Sequence, residues 1–184
     1  DDAMILYSKI LEIDPLNWES YDNRAVIYYL VKNDYERAIA DINKAININS
    51  MSVVSYNTRG LIWTDKGNYD YALADFDKAI EINPYLYEVF NNRGYLFNEM
   101  GKYDTAITEL NKAIQLNRFK AGAYHNRGIS YDRLGEKQKA MNDYNKAIEL
   151  NPNLTSAYIN RGRVWLEINN FNNAFEDFNE AILI

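Results

Sequence analysis

The chain has 184 residues, 47% of them hydrophobic, with a formal net charge of −6 and no cysteine. That hydrophobic fraction is ordinary for a folded protein. The acidic balance, with no basic run, argues against nucleic-acid binding and against a basic membrane-surface helix. The lack of cysteine removes disulfides, thiolate catalysis and cysteine-ligated zinc. It leaves the compartment open, with the cytoplasm the simpler expectation, and no apolar run approaches the length needed to span or insert into a membrane.

Residues 1–16 come first. Ala3, Ile10 and Ile13 keep a helical spacing, and Asp14-Pro15 ends it. This stretch, with Asp1-Asp2-Ala3 already inside it, reads as the second helix of a unit whose first helix is missing. Residues 17–52 form the first full unit and carry Asn23-Arg24-Ala25, then Ala38 and Ala45. Residues 53–86 are the clearest copy. Tyr56, Gly60, Leu61 and Trp63 predict one amphipathic helix, and Gly67-Asn68 breaks it. Tyr69, Ala72, Leu73, Phe76, Ala79, Ile80 and Ile82 predict a second helix, closed by Asn83-Pro84. Two helices with a tight turn make an αα-hairpin.

The units 87–120, 121–154 and 155–184 repeat the pattern. Gly60, Gly94, Gly128 and Gly162 stand 34 residues apart, each preceded by arginine. An aromatic follows three residues later (Trp63, Phe97, Tyr131, Trp165). The second helices carry Ala72, Ala106, Ala140 and Ala174, then Ala79, Ala113, Ala147 and Ala181. Glycine within a helix is unfavourable by about 1 kcal/mol against alanine, so close helix packing is the expected return.

These residues resemble the tetratricopeptide repeat family, over essentially the whole chain. The resemblance implies an all-α fold: an α-solenoid of stacked antiparallel helix pairs wound into a right-handed superhelix. The departures are few. Ala25 replaces the first glycine, and one extra residue lies between Arg24 and Ala38. Lys137 replaces an aromatic, and Ser50 and Arg118 replace the terminal proline. The last unit ends on Phe175, Phe178 and Ile182 without a polar capping helix. The expectation is a fragment of a longer array, able to self-associate through uncapped ends.

Each arginine has an acid in the second helix of its own unit: Arg24 with Asp41, Arg59 with Asp75, Arg93 with Glu109, Arg127 with Asp143, Arg161 with Asp177. Five such pairs predict structural ion pairs within each hairpin rather than a cationic binding site.

The resemblance further implies that first helices line a concave groove and that the residue two before the glycine faces it. Those residues are Asn23, Thr58, Asn92, Asn126 and Asn160. An asparagine amide offers an acceptor and two donors, so a row of them can hold the backbone of an extended peptide. Specificity would come from Leu61, Tyr95, Ile129 and Arg163, and from Asn57, Asn91, His125 and Ile159. Further along come Thr64, Asp65, Asn98, Glu99, Asp132, Arg133 and Glu167. This last set leans acidic, so a ligand carrying Lys or Arg is expected. The two-carboxylate clamp of chaperone-binding relatives does not fit, because Asn57, Asn91, His125 or Ile159 stands at its lysine position.

No catalytic constellation, cofactor motif or metal set is visible, and His125 is the only histidine. The expected function is a non-catalytic protein–protein interaction module that binds a protein or peptide ligand. The alternatives are a scaffold working through its convex face or array ends, and a recruiting arm of a fused enzyme.

Overall fold

The computed structural model describes residues 2–184; residue 1 of the half-unit expected over 1–16 lies outside the described residues. Among the described residues the fold is all-α, with eleven helices. The chain divides into two compact units, Asp1–Tyr85 and Leu86–Ile184. The first holds α1 (Asp2–Ile13), α2 (Trp18–Leu30), α3 (Tyr35–Ile48), α4 (Val53–Asp65) and α5 (Tyr69–Ile82). The second holds α6 (Tyr87–Glu99), α7 (Tyr103–Leu116), α8 (Ala121–Arg133), α9 (Lys137–Leu150), α10 (Thr155–Glu167) and α11 (Phe171–Leu183).

The hairpin turns share one chemistry. Between α4 and α5, the Asn68 N–H donates to the Trp63 carbonyl (2.8 Å) and the Gly67 N–H to the Thr64 carbonyl (2.9 Å). Gly67 sits at φ 74°, the left-handed helix end that glycine reaches without a Cβ penalty. Asn33 (φ 52°) and Asn169 (φ 60°) take that conformation in the α2–α3 and α10–α11 turns, as asparagine can. The extra residue of the first full unit is absorbed at its turn. There the Lys32 N–H reaches back five residues to the Ile27 carbonyl (3.2 Å), and the Asp34 N–H six residues to Tyr28 (2.8 Å).

The second turns, from one hairpin to the next, are held by a side chain. Asn49, Asn83, Asn117 and Asn151 each accept, through Oδ1, the N–H two residues on (2.9–3.2 Å). Asp14 does the same for Leu16 (3.1 Å). These turns form after Ser50 and Arg118 as they do after proline. The Asn or Asp side chain, mimicking a backbone turn, is the common element.

The glycines mark where the two helices of a hairpin touch. A Cβ on Gly60 would lie 2.7 Å from the Phe76 ring, one on Gly128 2.7 Å from Tyr144, and one on Gly94 2.5 Å from Leu110. Phe76, Leu110 and Tyr144 are fully or almost fully buried, so they cannot swing aside. In the first full unit Ala25 is accommodated in a cluster with Ala38, Ile39 and Ile42, where an aliphatic side chain replaces the ring.

Within each unit the packing is asymmetric. α6 touches α8 and α8 touches α10, whereas α7, α9 and α11 touch first helices and not one another. In the first unit α2 touches α4 in the same way. The first helices of each unit are therefore drawn closer together than the second helices, which puts them on the inner side of that unit.

Replacing Gly128 with alanine removes about 1 kcal/mol of helix penalty but drives a methyl into the buried Tyr144 ring. Denaturant unfolding should show a net loss of about 1–2 kcal/mol, within the range for overpacked cores. An unchanged or raised midpoint would show that the ring yields.

Candidate functional site

The arginines before the glycines set the orientation of the first helices. Arg24 donates through Nε and Nη2 to the two oxygens of Asp41 (2.7 and 2.8 Å). Arg59 binds Asp75 (2.8 and 2.6 Å), Arg127 binds Asp143 (2.8 and 2.7 Å) and Arg161 binds Asp177 (2.9 and 2.5 Å). Arg93 places both nitrogens on one oxygen of Glu109 (3.0 and 2.8 Å). The four aspartates are buried, and the hydrogen bond to Asp41 pushes the Arg24 guanidinium above its ordinary range. Each arginine also lies over an aromatic ring three residues earlier, as Arg127 does over Tyr124 (5.6 Å) and Arg161 over Tyr158 (5.6 Å).

The remaining arginine nitrogen reaches the preceding second helix. Arg59 Nη1 donates to Asn43, Arg127 to Asn111 and Arg161 to Asn145, each at 2.6 Å, and Arg24 donates to Ser8 (3.2 Å). One guanidinium thus ties its own hairpin shut and joins it to the hairpin before. Sequence reasoning missed these partners, although each asparagine stands as far before the arginine as the acid stands after it.

With glycine and arginine turned toward the second helices, the residues two and three before the glycine face the neighbouring first helices. In the second unit these residues contact one another. Asn126 Nδ2 donates to Asn91 Oδ1 (3.1 Å), and Asn91 Nδ2 to Asn92 Oδ1 (3.1 Å). Asn160 Nδ2 donates to His125 Nε2 (3.0 Å). Burial holds the His125 imidazole below its ordinary pKa, opposed by hydrogen bonds to the Ser156 backbone and the Asn126 side chain. Asn91, Asn92, His125, Asn126 and Asn160 are all half-buried. Each amide nitrogen bound in this way keeps a second N–H.

Other residues considered from sequence are placed differently. Tyr95 is half-buried and Arg163 exposed. Ile129 packs against the cluster of Ala140, Met141, Tyr144 and Val164. In the first unit Asn23 is exposed, Leu61 and Asn57 are half-buried, and Thr58 is buried. Thr64 and Asn98 do not line an open groove. Both are buried: Thr64 donates to the Gly60 carbonyl (2.8 Å), while Asn98 donates to the Asn126 carbonyl (2.9 Å) and accepts from Ser130 (2.6 Å). Three of the acids are engaged. Asp65 accepts from the Tyr29 hydroxyl (2.6 Å), and Lys137 pairs with both Asp132 (2.6 Å) and Glu167. That double ion pair explains why Lys137 stands in an aromatic position.

Sequence reasoning also missed Asp22, three before Ala25 in the first unit. Its Oδ2 accepts from the Ser55 hydroxyl (2.7 Å), joining α2 to α4. Its Oδ1 is buried without a partner. Burial pushes this carboxyl up to about 6, with neighbouring Glu19 adding to the shift and hydrogen bonds from Ser55 and Ser52 opposing it.

With this geometry in hand, tetratricopeptide repeat models match residues 53–86 and 121–154, and 6–40 and 76–108; a TPR repeat model matches 94–135. Together they cover more than half of the chain, which belongs to the tetratricopeptide repeat (TPR) family. Among solved structures it is similar to MamA, with 26% identity, 82% of this chain and 88% of that one covered, and a TM-score of 0.67. A tetratricopeptide repeat protein from Parabacteroides merdae is 27% identical, with 98% and 70% covered and a TM-score of 0.84. YrrB, a TPR protein described as having an unusual peptide-binding site, is 24% identical, with 96% and 90% covered and a TM-score of 0.62, a likeness of fold alone. No curated protein matches the chain. TPR proteins generally mediate protein–protein interactions, and the fold is typically a non-catalytic module. No described helix is long and apolar enough to cross a membrane.

Asp22 gives the first unit a specific pH response. Its native pKa lies above the unfolded value, so between about pH 4 and 6 the folded chain holds the extra proton, and this contribution to stability falls as pH rises through that window. Asp22→Asn should therefore stabilise the protein at pH 7, by up to roughly 2–3 kcal/mol. It should also flatten the difference between unfolding curves at pH 5 and pH 7. Equal pH dependence in both proteins would contradict the assignment.

Proposed function

We propose that the chain is a protein–protein interaction module whose second unit holds an extended peptide along the inner face of α6, α8 and α10. The observation that carries this reading is the pair of hydrogen-bonded groups between neighbouring first helices, Asn92–Asn91–Asn126 and His125–Asn160. Amides fixed by their neighbours lose little side-chain freedom when a ligand arrives, so more of each new hydrogen bond appears as affinity. Their second N–H groups suit peptide carbonyls, which occur in every sequence, so the row contributes affinity with little sequence preference. Selectivity then falls to the flanking side chains, with exposed Arg163 on α10 and half-buried Tyr95 on α6 the nearest in this unit. In the first unit Asn23 and Asn57 are the corresponding groups.

Lys137 engages Asp132 and Glu167 and so offsets part of the acidic lean that favours a basic ligand.

The test is a pull-down from the source cell, wild type beside Asn92→Ala/Asn126→Ala/Asn160→Ala, with melting curves to establish that both proteins are folded. Each lost hydrogen bond is worth about 0.5–1.5 kcal/mol, so captured partners should bind the variant at least about tenfold more weakly. Identical partners and affinities would move the working surface to the second helices or the ends of the array.

A further inference from the structure

We propose that a cavity at the start of α8 accepts a carboxylate-bearing residue of the bound peptide, either an acidic side chain or the C-terminus. The inference rests on the peptide-binding reading above and names the ligand chemistry at one end of its row. The cavity measures about 320 Å³; Tyr87, Phe119 and Leu150 form its walls, and Asn91, Lys120 and Asn151 supply its polar groups. Asn91 belongs to both the row and the cavity, so a peptide on the row passes its mouth.

Lys120 and Gly122 border the opening. Lys120 stands where Leu86 and Leu154 precede α6 and α10, and both leucines are half-buried while Lys120 is exposed. Gly122 stands where the other repeats carry Glu19, Val54, Glu88 and Ser156. A Cβ at Gly122 would meet only Asn91 Oδ1, at 3.9 Å. Neither steric crowding nor backbone conformation therefore requires glycine here, unlike at Gly128.

Charge selects the occupant. No carboxylate lines the cavity. Lys120 lies over the Tyr87 ring (5.5 Å) and Arg118 over the Phe119 ring (4.9 Å), and neither makes an ion pair among the described residues. Asn151 spends its oxygen on the Asn153 N–H (3.2 Å), which leaves its amide N–H groups to donate. Lys120 and Asn151 thus offer donors, and the charge of Lys120 favours an anion. Glu88 sits beside Tyr87, whose phenol is pushed up by burial, then by the Glu88 charge and by its hydrogen bond to that carboxylate.

Four peptide probes test this by NMR: acetyl-Gly-Gly-Glu-Gly-Gly-amide, its Gln counterpart, and acetyl-pentaglycine with a free or an amidated C-terminus. The Glu probe, the free-acid probe or both should shift the Gly122 and Lys120 amide signals saturably, at least tenfold more tightly than their neutral counterparts. Which of the two does so identifies the source of the carboxylate. Lys120→Glu should abolish the preference, and so should Gly122→Val, which restores a side chain seen at that position in another repeat. Equal binding of charged and neutral probes, or a preference that survives Lys120→Glu, overturns the proposal. If neutral probes move the Asn126 and Asn160 side-chain signals while Gly122 shows no preference, only the carboxylate site fails. If a carboxylate probe moves Gly122 but no probe moves Asn126 or Asn160, only the row reading fails.

Discussion

One guanidinium per hairpin organises this protein. Arg59, Arg127 and Arg161 each bind a buried aspartate in their own second helix and an asparagine in the preceding one. An aspartate that is about 5% exposed is tolerable only with its charge matched and its oxygens occupied. The fork geometry of arginine meets both needs and has a nitrogen left for the neighbouring hairpin. The glycine beside it then lets the helices close to contact. Arginine and glycine occupy adjacent positions on one side of the first helix, so the rotation of that helix about its axis is settled.

That rotation decides what the other side presents. Successive helix residues turn by about 100°, so residues two and three before the glycine point toward adjacent first helices. In the second unit they meet as Asn126 with Asn91 and Asn160 with His125. In the first unit the corresponding acid, Asp22, is drawn inside and bound by Ser55. The same position therefore serves as a partly open amide in one place and a buried carboxyl in another. The difference follows from burial: an amide is neutral and can remain half-buried at little cost, whereas the carboxyl retains its proton to higher pH.

Much of this was legible in the sequence. The 34-residue spacing of Gly60, Gly94, Gly128 and Gly162 implied the hairpins and their family, and the acids matched to the arginines implied internal pairing. Both signals recur with the repeat, so one copy interprets the next. Contacts particular to one repeat were not legible. The burial of Thr64 and Asn98 depends on how closely first helices approach, which no periodicity measures. The pairing of Lys137 with Asp132 and Glu167 joins residues from three helices. The acidic lean of the first helices was read without those partners, which offset part of it. Lys120 drew no notice because helix starts carry a weak pattern, and only packing reveals the cavity beside it.

The account places the working surface of the second unit on its first helices, held in register by the arginine bridges. Photo-crosslinking tests this most directly. A benzophenone amino acid would replace exposed Arg163 on α10 or, in a second protein, exposed Lys112 on α7, each expressed in the source cell. The account predicts partner adducts from position 163 and few or none from position 112. Adducts from position 112 with none from position 163 would contradict it.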